Sequence, residues 1–500
     1  MTGVQGLPGL ELVPASRVAA AGAEWALARR ADGDRLVVAA PVAAARLLDE
    51  LEGETTARDG GVVLVGPAGP RNAAALRRHV PGLRPVPLGL RPSAGLGDRL
   101  GLATPGHVRA IRAAGGGLAP VFAQQSVREM ARTGRTPREV LDDATWGMFA
   151  EGWRGEAGAD ADHLKTAADV AAGLGAGFTL FTLDPGEHVD AGADTADAAA
   201  LRARAAGLPW AELEDTAAAL RGRYLDRSFA AEHLALRFDE EVLLRAAVKY
   251  GRAVAHVARL WRHLAAAAGD RRVEVEVSVD ETETPTTPAE HLFVARELTR
   301  LGVGFVSLAP RFVGRFEKGV DYLGDLAALE RDLAAHAAIA RALGPYKLSL
   351  HSGSDKLSVY PLAARATRGL VHLKTAGTSY LEALRTVAVL DPPLFRAIYA
   401  FARERYETDR ASYHVSAELG RAPPPAGVPA AALPALLEHF DARQILHVTF
   451  GSVLAARAGD GRPRFKDALL GRLRQGAEAY ARNLEAHLGR HLRPFVEARA

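Results

Sequence analysis

The strongest constraint on this chain is a recurrence. From about residue 96 onward, short apolar runs that read as strands are separated by helical stretches: GLAPVFAQQ, AGFTLFTLDPG, VEVEVSVDETETP, VGFVSLAPRF, YKLSLHSGSD, GLVHLKTAG, SYHVSAEL and ILHVTFGS. Eight such runs predict an α/β fold, a (β/α)8 TIM-like barrel, with a doubly wound sheet as the alternative. Residues 1–95 read as a small α/β region of their own. There RLVVAAP and GGVVLVGP are apolar runs stopped by Pro or Gly, AAARLLDELE has helical spacing, and RPVPLGLRPSAG forms the connection. Residues 96–500 make the barrel domain. The Ala-rich stretch at about 190–269 exceeds an ordinary barrel connection and is expected to be a helical insertion beside the mouth, as a lid or a brace.

Composition narrows the chemistry. With no cysteine, the chain has no disulfide and no thiolate, so any metal must be held by His, Asp or Glu. Net charge is only +3, and acids are interspersed with the arginines, which excludes the basic stripe of a nucleic-acid binder. No run is apolar enough to span a bilayer and the start does not read as a leader, so a cytoplasmic protein with no membrane partner is expected. Only seven of the 62 basic residues are lysine. Where Lys persists against that bias, a compact or titratable amine is worth attention.

Strand alternation places the polar groups. In VEVEVSVD the four valines share one face, while Glu274, Glu276, Ser278 and Asp280 share the other. In a closed barrel the apolar face packs on helices, so the polar face looks inward. The same reading puts Lys347, Ser349 and His351 inside, with His372, Lys374, His447 and Thr449. Charges that converge there must be paired or metal-bound. His351 and His372, on consecutive runs, begin a divalent metal site that needs a further ligand. GADADHLKT supplies a candidate in His163, within an acid, imidazole and amine cluster (Asp162, His163, Lys165), although an Asp before a helix is ordinarily an N-cap. Strand ends also carry Gln124, Asp184 and Arg311. At barrel strand C-termini such residues build active sites.

The stretches FAQQSVREM, RTGRTPREVLDDATW, FAEGWRGEAGADADHLKT, FTLDPGEHVD, SVDETETPT, LHSGSDKLSVYP and HLKTAGTSYLEALR together resemble the tagaturonate epimerase family, over most of the chain from about Gly95 to Leu419. The resemblance implies a divalent-metal-dependent isomerase of hexuronate catabolism that interconverts D-tagaturonate and D-fructuronate, with some members acting on ketohexoses. It implies His163, His351 and His372 as ligands of a Zn, Mn, Ni, Co or Fe ion. It also implies Asp162 as proton acceptor and Glu276 as proton donor, with Glu274, Asp280, Glu281 and Glu283 as competitors for the latter role.

The epimerised carbon lies two carbons from the ketone, so simple enolisation cannot reach it. A retro-aldol and aldol sequence can, given a base, an acid and a Lewis acid. Gln124, Arg311, Lys356 and Lys374 are the expected substrate contacts, the cations serving a sugar acid or ketohexose. Rival readings make Lys374 or Lys347 a Schiff-base amine, or the chain a non-catalytic sugar-acid sensor. A homo-oligomer is compatible with either.

Overall fold

The computed structural model describes residues 4, 7–30, 33–58 and 60–498. An antiparallel sheet comes first. Its main strands Ala23–Arg29, Arg35–Pro41 and Gly61–Pro67 include both apolar runs read from the sequence, and helix Pro70–His79 follows. The intervening Val42–Glu50 winds as a 3₁₀-helix rather than an α-helix.

Eight parallel strands then close into a barrel: β1 Ser93–Gly95, β2 Ala119–Ser126, β3 Gly158–Leu164, β4 Leu180–Leu183, β5 Glu274–Ser278, β6 Ser307–Ala309, β7 Lys347–Leu350 and β8 Val371–Lys374. Six of them lie in the predicted runs. The other two correct the reading. SYHVSAEL forms no strand, and ILHVTFGS spans helices Phe440–Val448 and Phe450–Ala455, so His447 and Thr449 are not inward strand residues. A short apolar run fits a buried helix as well as a strand, and periodicity alone does not separate them. The strands that replace them are β1, three small residues inside the expected connection, and β3, the GADADHL segment that reads locally as a loop before a helix.

β3 carries a local irregularity that matters. Phe181 pairs with Ala161 but Leu183 pairs with Leu164, so one extra residue is accommodated at Asp162–His163. His163 takes φ +53°, a left-handed conformation rare for a residue with a Cβ. The bulge breaks the inside/outside alternation. Two consecutive side chains, Asp162 and His163, thereby reach the same mouth.

Elsewhere the alternation holds. Val275 and Val277 are buried against the helices, while Glu276 faces Thr182 and Ser307 across the interior. Lys347 and His372 both meet Ser93 from the inner face. The segment 190–269 contains helices Ala198–Ala206 and Ala217–Tyr224, a hairpin (Arg227–Ala231 with Leu234–Phe238) and the long helix Glu240–Ala268. Beyond β8 the chain adds several further helices. The last, Ala477–Glu497, seats Leu484 directly over Gly106 of the first barrel helix, Thr104–Ala114.

Candidate active site

A cleft opens at the C-terminal ends of the strands. Its floor is organised by one amine. Lys374 Nζ, on β8, lies 2.7 Å from Asp162 Oδ1, 2.9 Å from Asp160 Oδ2 and 2.8 Å from Glu276 Oε1, and donates to Thr182 Oγ1 at 2.7 Å. Burial opposes its charge, but the three carboxylates hold its pKa well above the ordinary lysine value. Burial raises Asp160 to about 6, against the pull of Lys374. Burial also works against ionised Asp162 and Glu276, yet His163 and Lys374 hold the first, and Lys374 and His351 the second, well below the usual carboxylate range.

Two imidazoles stand on these carboxylates. His163 Nδ1 is 2.7 Å from Asp162 Oδ1, and His351 Nε2 is 2.6 Å from Glu276 Oε1. Their opposite edges converge. His351 Nδ1 lies 2.9 Å from Asp280 Oδ1, and His163 Nε2, buried without a hydrogen-bond partner, lies 4.0 Å from both Asp280 Oδ1 and Glu281 Oε1. The ring centroids are 5.0 Å apart. Burial would lower both pKa values, but Asp162 chiefly holds His163 up to about 10, and Asp280 chiefly holds His351 up to about 9.

This donor set fits a divalent cation. His163, His351 and Asp280 each offer a ligand atom within 4.8 Å of the others, and His163, Asp184 and Glu281 form an overlapping group. Each histidine turns one nitrogen to a carboxylate and leaves the other for the centre, the arrangement in which a second carboxylate fixes the ring and tautomer of a metal-ligating histidine. A cation there would replace two protons among carboxylates that otherwise repel.

Basic groups line the same cleft. Arg99, Arg128 and Lys318 line the cleft together with Gln124 and Tyr413. Arg128 is paired with Glu281 at 2.7 Å, and Arg99 with Glu129 at 2.6 Å while its carbon stacks 3.7 Å over the Phe450 ring.

The predicted residues divide accordingly. Asp162, His163, His351, Gln124 and Lys374 line the cleft, with Gln124 Nε2 donating to Asp162 Oδ2 at 2.7 Å. Glu276 lies beneath it, its Oε2 accepting from Ser307 Oγ at 2.5 Å. His372 is not gathered with the other two histidines. Its Nδ1 bonds Ser93 Oγ at 2.8 Å, its Nε2 is buried without a partner, and burial lowers its pKa to about 3. Arg311 donates to the Thr282 carbonyl of the β5 loop and does not line the cleft. Lys356 is buried and donates to the carbonyls of Glu317, Val320 and Ser354 at 2.7, 2.5 and 3.0 Å, pinning a loop rather than meeting a ligand. Among the described residues, none of 190–269 lines the cleft, so that segment is no lid in this conformation. Sequence reasoning missed Lys318, Arg99 and Arg128 as cleft residues. The lysine scarcity was the available signal for the first.

Comparison with known proteins decides the family. A sequence model of the family described as tagaturonate epimerase matches residues 19–495. The chain belongs to the tagaturonate epimerase family. It is 46% identical over 426 residues to a Thermotoga maritima protein named tagaturonate/fructuronate epimerase, covering 84% of each chain. Crystal structures of fructuronate-tagaturonate epimerase from Cohnella laeviribosi share its fold throughout. The native form superposes with a TM-score of 0.91 at 39% identity, covering 98% of this chain and 97% of that one. A form complexed with one glycerol gives 0.90, covering 97% and 96%. Membership makes the chain an epimerase. It also bears out the TIM-like barrel read from strand recurrence. Among the described residues, no helix is long and apolar enough to cross a membrane.

Proposed function

We propose that this protein interconverts D-tagaturonate and D-fructuronate with a divalent cation held by His163, His351 and Asp280, and that it inverts the carbinol carbon by retro-aldol cleavage and re-addition. The observation that carries the reading is the convergence of His163 Nε2, His351 Nδ1 and Asp280 at the rim of a cleft whose floor holds an ionised Asp162. When bound, such a cation supplies Lewis-acid polarisation of the substrate's ketone and hydroxyl oxygens. First-row ions from Mn to Zn are all compatible with two imidazoles and a carboxylate.

The chain's own groups supply the rest. Asp162 accepts the hydroxyl proton at the inverted carbon. Its low basicity is offset by proximity, and Lys374 beside it balances the charge as the proton moves. The adjacent C–C electron pair stays with the ketone-bearing half as an enediolate. The other half, now an aldehyde, turns and is attacked on its opposite face, and the proton returns to oxygen. Glu276, sealed under His351 and Lys374, acts by orienting them rather than as the proton donor. Gln124 holds Asp162 in place.

A Schiff-base route is disfavoured. Lys374 is locked as an ammonium by three carboxylates, and Lys347 donates to Ser93 Oγ below the cleft without lining it. The test is turnover of D-tagaturonate by the purified chain, before and after chelation and with Mn, Co, Ni and Zn added back. Turnover lost on chelation and restored by one of these ions supports the proposal. Unchanged turnover after chelation, or trapping of substrate by borohydride, contradicts it.

A further inference from the structure

We propose that Lys318 anchors the carboxylate of the sugar acid and thereby sets a preference for anionic over neutral ketoses; this rests on the epimerase reading above and deepens it. The cleft carries charges of both signs. Asp162, Asp280 and Glu281 stand around the paired histidines, and suit the ketone and hydroxyl oxygens once a cation is present. Of the three cations that line the same cleft, two are held in ion pairs: Arg128 with Glu281 and Arg99 with Glu129. Lys318 acts on Glu281 only at longer range, helping His163 to hold that carboxyl, against burial, below its ordinary value. Its ammonium donates to Ser352 Oγ at 2.7 Å and forms no ion pair among the described residues, which leaves two N–H donors for a ligand. Arg99 adds a buried Nη1 without a hydrogen-bond partner in the same cleft.

The lysine is also held in place. The loop that carries it is fixed by Lys356 Nζ on the Glu317 and Val320 carbonyls, by Arg443 Nε on the Gly319 carbonyl at 2.6 Å, and by Gln444 Nε2 on Glu317 Oε2 at 2.9 Å. Buried donors spent on one short loop pre-organise the ammonium at its tip, so little ordering is required on binding. That explains Lys356, which the cleft itself does not use.

Anchoring has a consequence for the reaction. When the C–C bond breaks, its electron pair remains with the ketone-bearing half and the hydroxyl proton is on the base. The carboxylate-bearing aldehyde is then attached to nothing covalent. Held at Lys318 by its carboxylate, it can rotate its carbonyl and re-add without leaving.

The experiment compares wild type, Lys318→Met and Lys318→Arg with D-tagaturonate and with D-tagatose, its neutral counterpart. Calorimetric Kd, KM, kcat and free three-carbon aldehyde are the readouts. Loss of one charge-assisted contact predicts a Kd and KM for tagaturonate raised about 10- to 100-fold in Lys318→Met, largely restored in Lys318→Arg. Tagatose binding should be unchanged, and free aldehyde should increase. Unchanged tagaturonate Kd and KM in Lys318→Met, or equal losses for both sugars, would overturn the anchor. Wild type that binds tagaturonate in a Lys318-dependent way but never converts it would sink the epimerase reading and keep the anchor; conversion with an indifferent Lys318 would do the reverse.

Discussion

Replacing Lys374 by Met removes the one cation shared by Asp160, Asp162 and Glu276, which lie 2.9, 2.7 and 2.8 Å from its nitrogen and are 0%, 3% and 0% exposed. Breaking a buried pair by deleting one partner costs about 3–5 kcal/mol, a large part of the ~5–15 kcal/mol that keeps a domain folded. The stranded carboxylates respond by binding protons, which gives the prediction its sign. In the wild type, Asp162 and Glu276 have depressed folded pKa values, so their contribution is present above the unfolded carboxylate range near pH 4 and is lost as pH falls. In the variant, the folded pKa values rise above the unfolded ones. The folded state then binds more protons than the unfolded state, and stability is lost as pH rises through neutrality. Urea unfolding at pH 5.5 and pH 8, in chelator, should show a deficit of about 3–5 kcal/mol at pH 8 that narrows at pH 5.5 by about 1.4 kcal/mol per pH unit for each proton taken up. A deficit below ~1 kcal/mol, or one independent of pH, would refute the idea that Lys374 neutralises this layer.

Further outcomes follow from the same geometry. A cation at the two histidines must displace a proton from each, and both stay protonated until their pKa values of about 10 and about 9; the logarithm of metal affinity should therefore climb by about two per pH unit between pH 6 and 8 in fluorescent-chelator competition. Asp280→Asn should abolish tight metal binding in equilibrium dialysis, whereas His372→Gln should leave it within a few-fold. Glu276→Gln, which loosens the tether on His351, should weaken metal affinity about 10- to 100-fold. Arg311→Ala should leave KM for tagaturonate nearly unchanged in steady-state assays, since its guanidinium is spent on the Thr282 carbonyl.

The barrel was legible because period-two alternation survives in strands of four or five residues. VEVEVS shows its valine face and its acid face without ambiguity, and the inward placement of Glu276, Lys347, His372 and Lys374 follows from it. β1 was illegible because Ser93–Gly95 offers only three small residues, too few for any period. β3 was illegible because Asp and Gly disfavour strands, and only the neighbouring strands on either side override that preference. Its bulge is what turns Asp162 and His163 to one mouth, and no pattern in GADADHL announces a positive φ. The motif resemblance brought His163 and His351 together nonetheless. Asp280, two residues past the end of its strand, stands beside His351 because Ser278 Oγ holds its Oδ1 at 2.6 Å, a detail of loop geometry rather than of pattern. Lys318 lies on a loop with no periodicity at all, and only the packing of Lys356, Arg443 and Gln444 locates it.

The most direct test is an anomalous difference map from a crystal of the active, metal-loaded protein, collected at the absorption edge of the ion that restores turnover. One strong peak bounded by His163 Nε2, His351 Nδ1 and Asp280 is expected. A peak centred on His372, or an active crystal with no peak in the cleft, would contradict it.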